Sequence, residues 1–319
     1  CEGVPLFAEE LTKAVLELDV LEEGADSYIL HGALPPDLVP ATVQGSLSAR
    51  LDQMGPAKFV AQRAAVFGRE FRLDVLQTVT AIDYAELIEG LNRLKDAELI
   101  YQLDEGYEAS YQFKHALIQD AAYQSLLKEV RREQHLKIAQ ALTRQFADIS
   151  ARRPELAAHH FENGGDADLS AAWWFQAGKR ALARAAGHEA RAHISKSLEQ
   201  LSLLEPCMEV YERELGSLGV LTTALQTTDG WASKPVEEAC RRSSELLEKV
   251  GDVRRQAQVM STRISMHTLS GRIEAALELT KPLVELNAAI PNNKPMVVSA
   301  AHASVCVVQL YHGDIDDAI

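Results

Sequence analysis

LIYQLDEGYEASYQFKHALIQDAAY, residues 99–123, decides the fold, because the period of its hydrophobic pattern changes within it. Leu99, Tyr101 and Leu103 recur at every second position, and residues 104–106 have the composition of a turn. A second alternating run follows the turn. Its apolar members are Tyr107, Ala109, Tyr111 and Phe113. A period of two on both sides of a Gly-containing turn predicts a β-hairpin.

Three helices are predicted before this hairpin from apolar spacings of three and four. They cover residues 43–54, 56–67 and 84–98. Gly55 ends the first helix, and Pro56 suits the first turn of the second. Asp83 followed by Glu86 resembles a capping box at the start of the third helix. Three helices followed by a hairpin is the winged-helix order, so we predict a winged-helix region over residues 43–148.

The charges of the third helix argue against DNA reading. In transcription factors the helix before the wing contacts DNA. Here that helix is acidic, with Glu86, Glu89, Asp96 and Glu98 against Arg93 and Lys95. The whole chain carries a formal net charge of −14, which opposes contact with phosphates and with anionic membranes. Basic or neutral partners are favoured, and direct nucleic-acid or membrane binding is disfavoured.

The second half of the chain is predicted to be a helical repeat. Gly271 and Gly313 each precede, by five positions, a small residue followed by a large apolar one. The small residues recur at intervals of about 40 residues. They are Ala190, Ala239, Ala276 and Ala318. We predict an α-solenoid of helix pairs over residues 149–319, similar to tetratricopeptide repeats, with Trp173 and Trp174 as packed core rather than ligand anchors.

The composition indicates the class of protein and its cellular compartment. With 47% hydrophobic and 24% charged residues, the 319-residue chain is large enough for about two folded, mainly α domains. Its four cysteines form no C-x-x-C pair, and no run of about 18 apolar residues occurs, so a cytoplasmic protein is predicted. Because the chain begins at Cys1 and stops in a predicted helix, we expect it to be part of a longer protein.

Three motifs carry a resemblance to a known family. They are Gly3-Val-Pro-Leu-Phe7 with Glu9-Glu10, the turn Gly68-Arg-Glu-Phe71, and Tyr111 to Tyr123. The chain resembles STAND-type signalling ATPases, in particular those fused to class III adenylate or guanylate cyclases and to some bacterial transcriptional regulators. That family orders a P-loop domain, a small helical domain, a winged helix and repeats. The resemblance implies that residues 1–42 are the end of an ATPase module and a linker.

The same resemblance implies nucleotide-binding roles for Gly3 and Pro5. They match the family's G-x-P, in which the Gly allows close backbone approach and the Pro ring packs on the base. The alternative is that they only begin a helix. No G-x-x-x-x-G-K-[ST] pattern occurs, since Gly178-Lys179 is followed by Arg180. The P-loop and its Mg²⁺ are therefore expected elsewhere in an intact protein that binds ATP or ADP, while this chain alone retains no cofactor and has no catalytic residue.

His115 is the sharpest candidate for a nucleotide contact. It aligns with the His of the MHD-like motif in relatives such as the plant resistance proteins, where that residue contacts the β-phosphate of ADP. Lys114 and Ala116 replace the Met and Asp of that motif. A ring at the start of a helix can donate to a phosphate beside the helix N-terminal amides. A capping His is the alternative, and Lys114 is either an auxiliary phosphate contact or a solvated lysine.

The resemblance implies a switch. In the ADP-bound state the winged helix folds onto the ATPase core of the same chain through His115, and the repeats bind a protein partner or ligand. Exchange for ATP, or partner binding, favours an open form able to assemble or to activate a fused output domain, which the resemblance implies to be a nucleotide cyclase. Two alternatives remain. The chain belongs to an ATPase-type transcriptional regulator, or it is a repeat scaffold for protein–protein interaction with no nucleotide role.

We expect limited proteolysis to cut first within residues 19–42. Gly24, Gly32 and a cluster of three prolines interrupt the helical pattern there, which is the composition of a loop between compact bodies. Mass spectrometry of early tryptic and proteinase K fragments locates the cuts. Early cleavage concentrated near Ser150 would contradict the predicted layout.

Overall fold

The computed structural model describes residues 21–23, 28–30, 43–106, 108–290 and 305–313. Within these ranges the chain is mainly α-helical with two small antiparallel sheets. Residues 1–42, predicted to be the end of an ATPase module followed by a loop at residues 19–42, fall largely outside the described residues. Two short strands lie in the described part of that predicted loop: β1 (Leu21–Glu23) pairs with β2 (Tyr28–Leu30).

The chain divides into two compact units. The first contains the described residues up to Ala147 together with Asn163–Gly165, and the second contains Asp148–Glu162 and the described residues from Asp166 onward. The mainly α fold with a helical-repeat region is therefore confirmed. The assigned domain identities and their boundaries stay predictions.

Besides β1 and β2, the described part of the first unit contains six helices and three strands. The helices are α1 (Val43–Gln53), α2 (Pro56–Ala65), α3 (Leu73–Thr80), α4 (Tyr84–Asp96), α5 (Ala116–Gln124) and α6 (Lys128–Arg144). The strands are β3 (Glu70–Arg72), β4 (Ile100–Gln102) and β5 (Ser110–Phe113). As predicted, Pro56 begins α2 after Gly55, and the Asp83 carboxylate accepts the Ala85 N–H at 2.9 Å at the start of α4.

The predicted hairpin is present, but its sheet has a third strand. β5 lies between β3 and β4 and pairs antiparallel with both, with Tyr111 opposite Phe71 and opposite Gln102. Residues 68–71 were predicted to be a turn, but Glu70 and Phe71 belong to β3. Three helices were predicted before the hairpin, whereas the described residues contain four, because α3 is only eight residues long and shows little more than two turns of apolar spacing.

The predicted face of the first hairpin strand was wrong. Ile100 is buried, whereas Tyr101 and Leu103 are 46% and 49% exposed. Leu99 is buried as predicted, but its N–H bonds to the Leu94 carbonyl of α4, and Glu98 has a left-handed backbone with φ 54°. Leu99 therefore closes the helix, and the alternation starts one residue later.

The strand β5 contributes its aromatic face to the core of the first unit. Tyr111 and Phe113 are buried as predicted, and each ring lies with its centroid 5.7 Å from that of Phe71. The helices α1, α2, α4 and α5 supply aliphatic side chains around these rings. Successive side chains of a strand point to opposite faces of the sheet. Because Phe113 points into the core, the next residue, Lys114, points to the opposite face.

In residues 147–288, all of which the structure describes, eight helices follow, and most of them belong to the second unit. They are α7 (Ala147–Arg152), α8 (Pro154–Gly164), α9 (Ala167–Ala183), α10 (Gly187–Leu201), α11 (Met208–Thr228), α12 (Lys234–Val250), α13 (Val253–Leu269) and α14 (Ile273–Ala288). From α9 to α14 each helix packs on the next, as expected for stacked helix pairs. Residues 305–312 form a further helix. Within the described ranges no helix has the length and apolarity needed to cross a bilayer.

Small residues bring the paired helices together. Ala190, Ala239 and Ala276 are all buried, at 0%, 5% and 0% exposure, whereas Ala318 lies outside the described residues. A Cβ atom added to Gly178 would lie 2.5 Å from the Ile194 side chain of the paired helix. Side chains larger than these would force the helices apart, so the recurrence of small residues marks the helix contacts.

We expect Gly90→Ala to lower the stability of the first unit by about 1–3 kcal/mol. A Cβ atom at Gly90 of α4 would lie 2.7 Å from Val60 Cγ2 of α2, well inside contact distance. Urea unfolding of the variant measures the loss. In the Gly90→Ala background, Val60→Ala should cost less than it does in the unmodified chain, because it removes the colliding methyl groups. Additive effects of the two substitutions would contradict the collision.

Candidate functional sites

The first candidate site is the junction of β5 and α5, where Lys114 and His115 are adjacent. Phe113 is fully buried at the end of the strand, and the Lys114 N–H donates to the Leu99 carbonyl at 3.0 Å. The chain then leaves the sheet and enters α5 at Ala116. Both candidates are thus held by backbone pairing on one side and by a helix on the other. Gly3 and Pro5 lie outside the described residues.

His115 occupies the N-cap position of α5. Its backbone is extended, with φ −131° and ψ 145°, and its carbonyl accepts the Ile118 N–H at 3.1 Å. The side chain is half-buried and makes no capping hydrogen bond to α5. His115 therefore caps α5 through its backbone, while its imidazole makes no hydrogen bond to the first turn of the helix. A group at this position lies at the positive end of the helix dipole.

Lys114 forms an ion pair within the first unit. Its Nζ lies 3.1 Å from Glu98 Oε2, and its side chain is 17% exposed while that of Glu98 is 55% exposed. An ion pair with one partner in solvent contributes at most about 1 kcal/mol. The solvated-lysine alternative is too simple, because Lys114 has a partner. The proposed phosphate contact would have to compete with that partner.

The second candidate site is a groove in the second unit that sequence reasoning missed. It consists of two neighbouring cavities of about 480 and 330 Å³, and Gly216 and Arg255 line both. We call it the repeat groove. Its walls come mainly from α9, α11 and α13, with Cys240 and Ser243 of α12 and with Trp231. Cavities of this size are typical of ligand sites.

Two arginines stand in the walls of the repeat groove with different surroundings. Arg213 is bound to Asp168 in two ways. It forms an ion pair with the Asp168 carboxylate and donates a hydrogen bond to the Asp168 backbone carbonyl at 2.8 Å. Arg255 makes lighter contacts. Its Nε lies 3.3 Å from Asp252 Oδ2, and one terminal nitrogen donates to the Glu212 carbonyl at 3.1 Å. These contacts use two of the five guanidinium donors.

The tryptophan pair singled out in the sequence lies elsewhere. Trp174 is 4% exposed, its Nε1–H donates to Glu162 Oε2 at 2.9 Å, and its ring stacks on His193 with centroids 5.2 Å apart. Trp173 is partly buried and packs against the cluster formed by Ala158, Trp174 and Ala177. The interpretation of Trp174 as packed core is confirmed. The groove residues were missed because no local pattern joins positions as distant as 175 and 262. In the part of the chain that the structure describes, no group of three His, Cys, Asp or Glu could hold a metal ion.

Comparisons with known proteins give distant relatives. No family model matches the chain. An uncharacterized protein of Rhizobium meliloti (strain 1021) is 25% identical over 249 residues, which are 77% of this chain and 24% of that protein. The chain therefore spans about a quarter of the length of that curated relative.

Two solved structures are similar over most of the chain. One is a signal transduction ATPase with numerous domains (STAND) protein with a tetratricopeptide repeat sensor from Pyrococcus horikoshii, at 11% identity and a TM-score of 0.36, with 86% of this chain and 44% of that chain covered. The other is BtubC (BKLC) from P. vanneervenii, at 16% identity and a TM-score of 0.27, with 85% and 86% covered.

We expect Cys240 to resist alkylation in the folded protein. Burial raises the pKa of its thiol to about 11, an effect that Glu237 increases and Arg263 opposes. At pH 8 about one thiol in a thousand is then ionised, and only the thiolate reacts with iodoacetamide. Cys207 is exposed and should be modified first. Peptide mass spectrometry at pH 8, native and in guanidinium, compares the two sites. Equal native rates would contradict the buried, protonated thiol.

Proposed function

We propose that the chain is the regulatory and sensor portion of a multidomain signal-transduction ATPase. The observation that carries this proposal is the repeat groove, an open cleft lined by successive helices of a stacked array. Stacked helix pairs commonly present such surfaces to partners. In this proposal the helical repeats bind a protein partner or ligand, and residues 43–148, as a winged helix, couple that binding to the ATP or ADP state of an ATPase core.

The nucleotide part of the proposal rests on the resemblance carried by residues 111–123 and on the position of His115. An imidazole at the N-cap of α5 lies beside the first backbone N–H groups of a nine-residue helix. Together they offer hydrogen-bond donors and positive potential to an anion such as the β-phosphate of ADP. Lys114 adds a cation next to this position. Gly3 and Pro5 are proposed to contact the base.

The proposed mechanism is a two-state switch. In the closed state His115 donates to the diphosphate, which holds residues 43–148 against the ATPase core. Binding of a partner by the repeats, or exchange of the nucleotide, favours the open state in which this contact is absent. The Mg²⁺ ion and the hydrolytic chemistry belong with a P-loop outside this chain. The chain's own residues therefore report nucleotide state and do not perform chemistry.

The output is proposed to be a nucleotide cyclase in the cytoplasm, by resemblance to the cyclase-linked family. The alternative output is a DNA-binding domain of a transcriptional regulator. A pure protein-binding scaffold would use the same groove, so the groove alone does not distinguish it. A role for His115 in nucleotide retention separates the switch from the scaffold.

In the full-length protein we expect His115→Ala to weaken ADP retention by about ten- to hundredfold. A charge-assisted hydrogen bond of about 1.5–3 kcal/mol, present only in the closed state, would be lost. Because the imidazole does not cap α5, the substitution should leave the fold intact. Nucleotide content after purification and the ADP-induced rise in melting temperature measure the effect. Unchanged ADP retention would favour the scaffold.

The companion pair Lys114→Ala and Glu98→Gln tests the auxiliary contact. Both substitutions break the same ion pair, but only the first removes the cation beside His115. If Lys114 contacts phosphate, ADP retention falls in Lys114→Ala and is unchanged in Glu98→Gln. Equal losses in both variants would show that the ion pair has only a structural role.

A further inference from the structure

Two glycines in the interior of α11 are not explained by helix packing. Glycine in the middle of a helix is unfavourable relative to alanine. At Gly90 and Gly178 a close neighbouring helix explains its presence, since an added Cβ atom would lie within 2.7 Å of another side chain. At Gly219 an added Cβ atom would have no neighbour within 4 Å, and at Gly216 its nearest neighbour is Phe175 Cζ at 3.8 Å. Alanine would fit at both positions.

Both glycines line the repeat groove. Gly216 borders both of its cavities, and Gly219 borders the larger one. They are three residues apart and therefore lie on one face of α11. Without side chains at these positions, the helix backbone itself forms the floor of the groove. Such a floor suits a ligand that must approach the helix backbone closely, because each Cβ atom would occupy ligand space.

The side chains beside this floor suit a peptide main chain. The hydroxyls of Thr222, Thr223 and Thr262 donate to carbonyls four residues earlier in their own helices, at 2.8, 3.1 and 3.1 Å. Their oxygens can then only accept, which matches the N–H groups of an extended peptide. Gln226 and Gln258 add amides that can pair with both N–H and C=O groups.

The charged residues of the groove indicate which kind of peptide side chain would bind there. Among the described residues that line the larger cavity, Arg255 alone is charged, while Glu212 and Arg213 line the smaller cavity, and the chain as a whole carries a net charge of −14. Three of the guanidinium donors of Arg255 are not used by Asp252 or Glu212. A planar guanidinium binds a carboxylate through two parallel hydrogen bonds. A basic peptide would instead meet a cation with no carboxylate in that cavity.

We propose that the repeat groove binds an extended peptide segment whose main chain lies over Gly216 and Gly219 and whose Asp or Glu side chain pairs with Arg255. This assignment rests on the proposed function, because it gives the chemistry of the partner that the repeats bind. The partner is a protein with an accessible acidic segment.

Peptide selection followed by direct titration tests the assignment. A phage-displayed library of random octapeptides is selected on the 319-residue chain, and the peptide that binds tightest is synthesised with a fluorescent label. Its acidic residue is then replaced by Gln or Lys. We expect fluorescence anisotropy to show binding at least tenfold weaker for the Gln form and weaker still for the Lys form. Equal affinities for the three forms would overturn the charge assignment.

Two substitutions, each expected to raise stability but to lower peptide binding, test whether Gly216 and Gly219 form the floor of the groove. Gly219→Leu should raise the melting temperature by about 2–4 °C, because it improves helix propensity at an open position, and should abolish peptide binding. Gly216→Ala should act in the same direction. If Gly219 had only a structural role, its substitution would weaken binding only by lowering stability. A variant that is more stable but no longer binds the peptide would therefore show that Gly219 lies in the ligand site. Retained binding in Gly219→Leu would overturn the assignment.

Neighbouring arginines provide the matched charge control. Arg255→Ala should weaken binding of the acidic peptide at least tenfold, whereas Arg254→Ala makes the same change in net charge outside the cavity walls and should leave it unchanged. If peptides bind but neither Arg255→Ala nor Gly219→Leu matters, this inference is wrong and the repeats bind their partner elsewhere, which leaves the proposed function standing. If no peptide is selected, the inference is overturned, and the His115→Ala measurement judges the switch independently.

Discussion

The two-sided pairing of β5 is the constraint on which the first unit depends. Its backbone bonds with both β3 and β4, which fixes the strand, and its period of two then commits Tyr111 and Phe113 to the core. The same commitment sends Lys114 to the opposite face. Because α5 begins directly after His115, the residues at this junction have little freedom to move. A candidate anion contact is therefore positioned by main-chain pairing and core burial rather than by its own interactions.

The ion pair between Lys114 and Glu98 fits this view. With Glu98 more than half exposed, the pair contributes little to stability. The strand would keep its place without it, because backbone hydrogen bonds and aromatic packing hold it. An anion that contacts Lys114 would have to displace or share the Glu98 carboxylate, which is the more exposed partner of the pair.

The second unit is organised by close contacts between consecutive helices. Buried alanines and Gly178 allow these helices to approach, and one side of α11 borders the repeat groove. Gly216 and Gly219 lie on that side, where a larger residue would fit and would favour the helix. Helix packing does not compensate for the unfavourable helix propensity of these two glycines. A role in ligand binding accounts for both of them and for the guanidinium of Arg255 in the same groove.

Hydrophobic period and local signals in the sequence were sufficient for the mainly α fold, the hairpin, the starts of α2 and α4, and the repeat of buried small residues. Each depends on neighbours within a turn or two of the chain. The strand β3, the short helix α3 and the burial of Ile100 required the tertiary structure, since pairing and chain direction decide them. The repeat groove also required it. Phe175, Gly216 and Arg255 are brought together only by the stacking of three helices, and no local periodicity records a contact between residues so far apart in the chain.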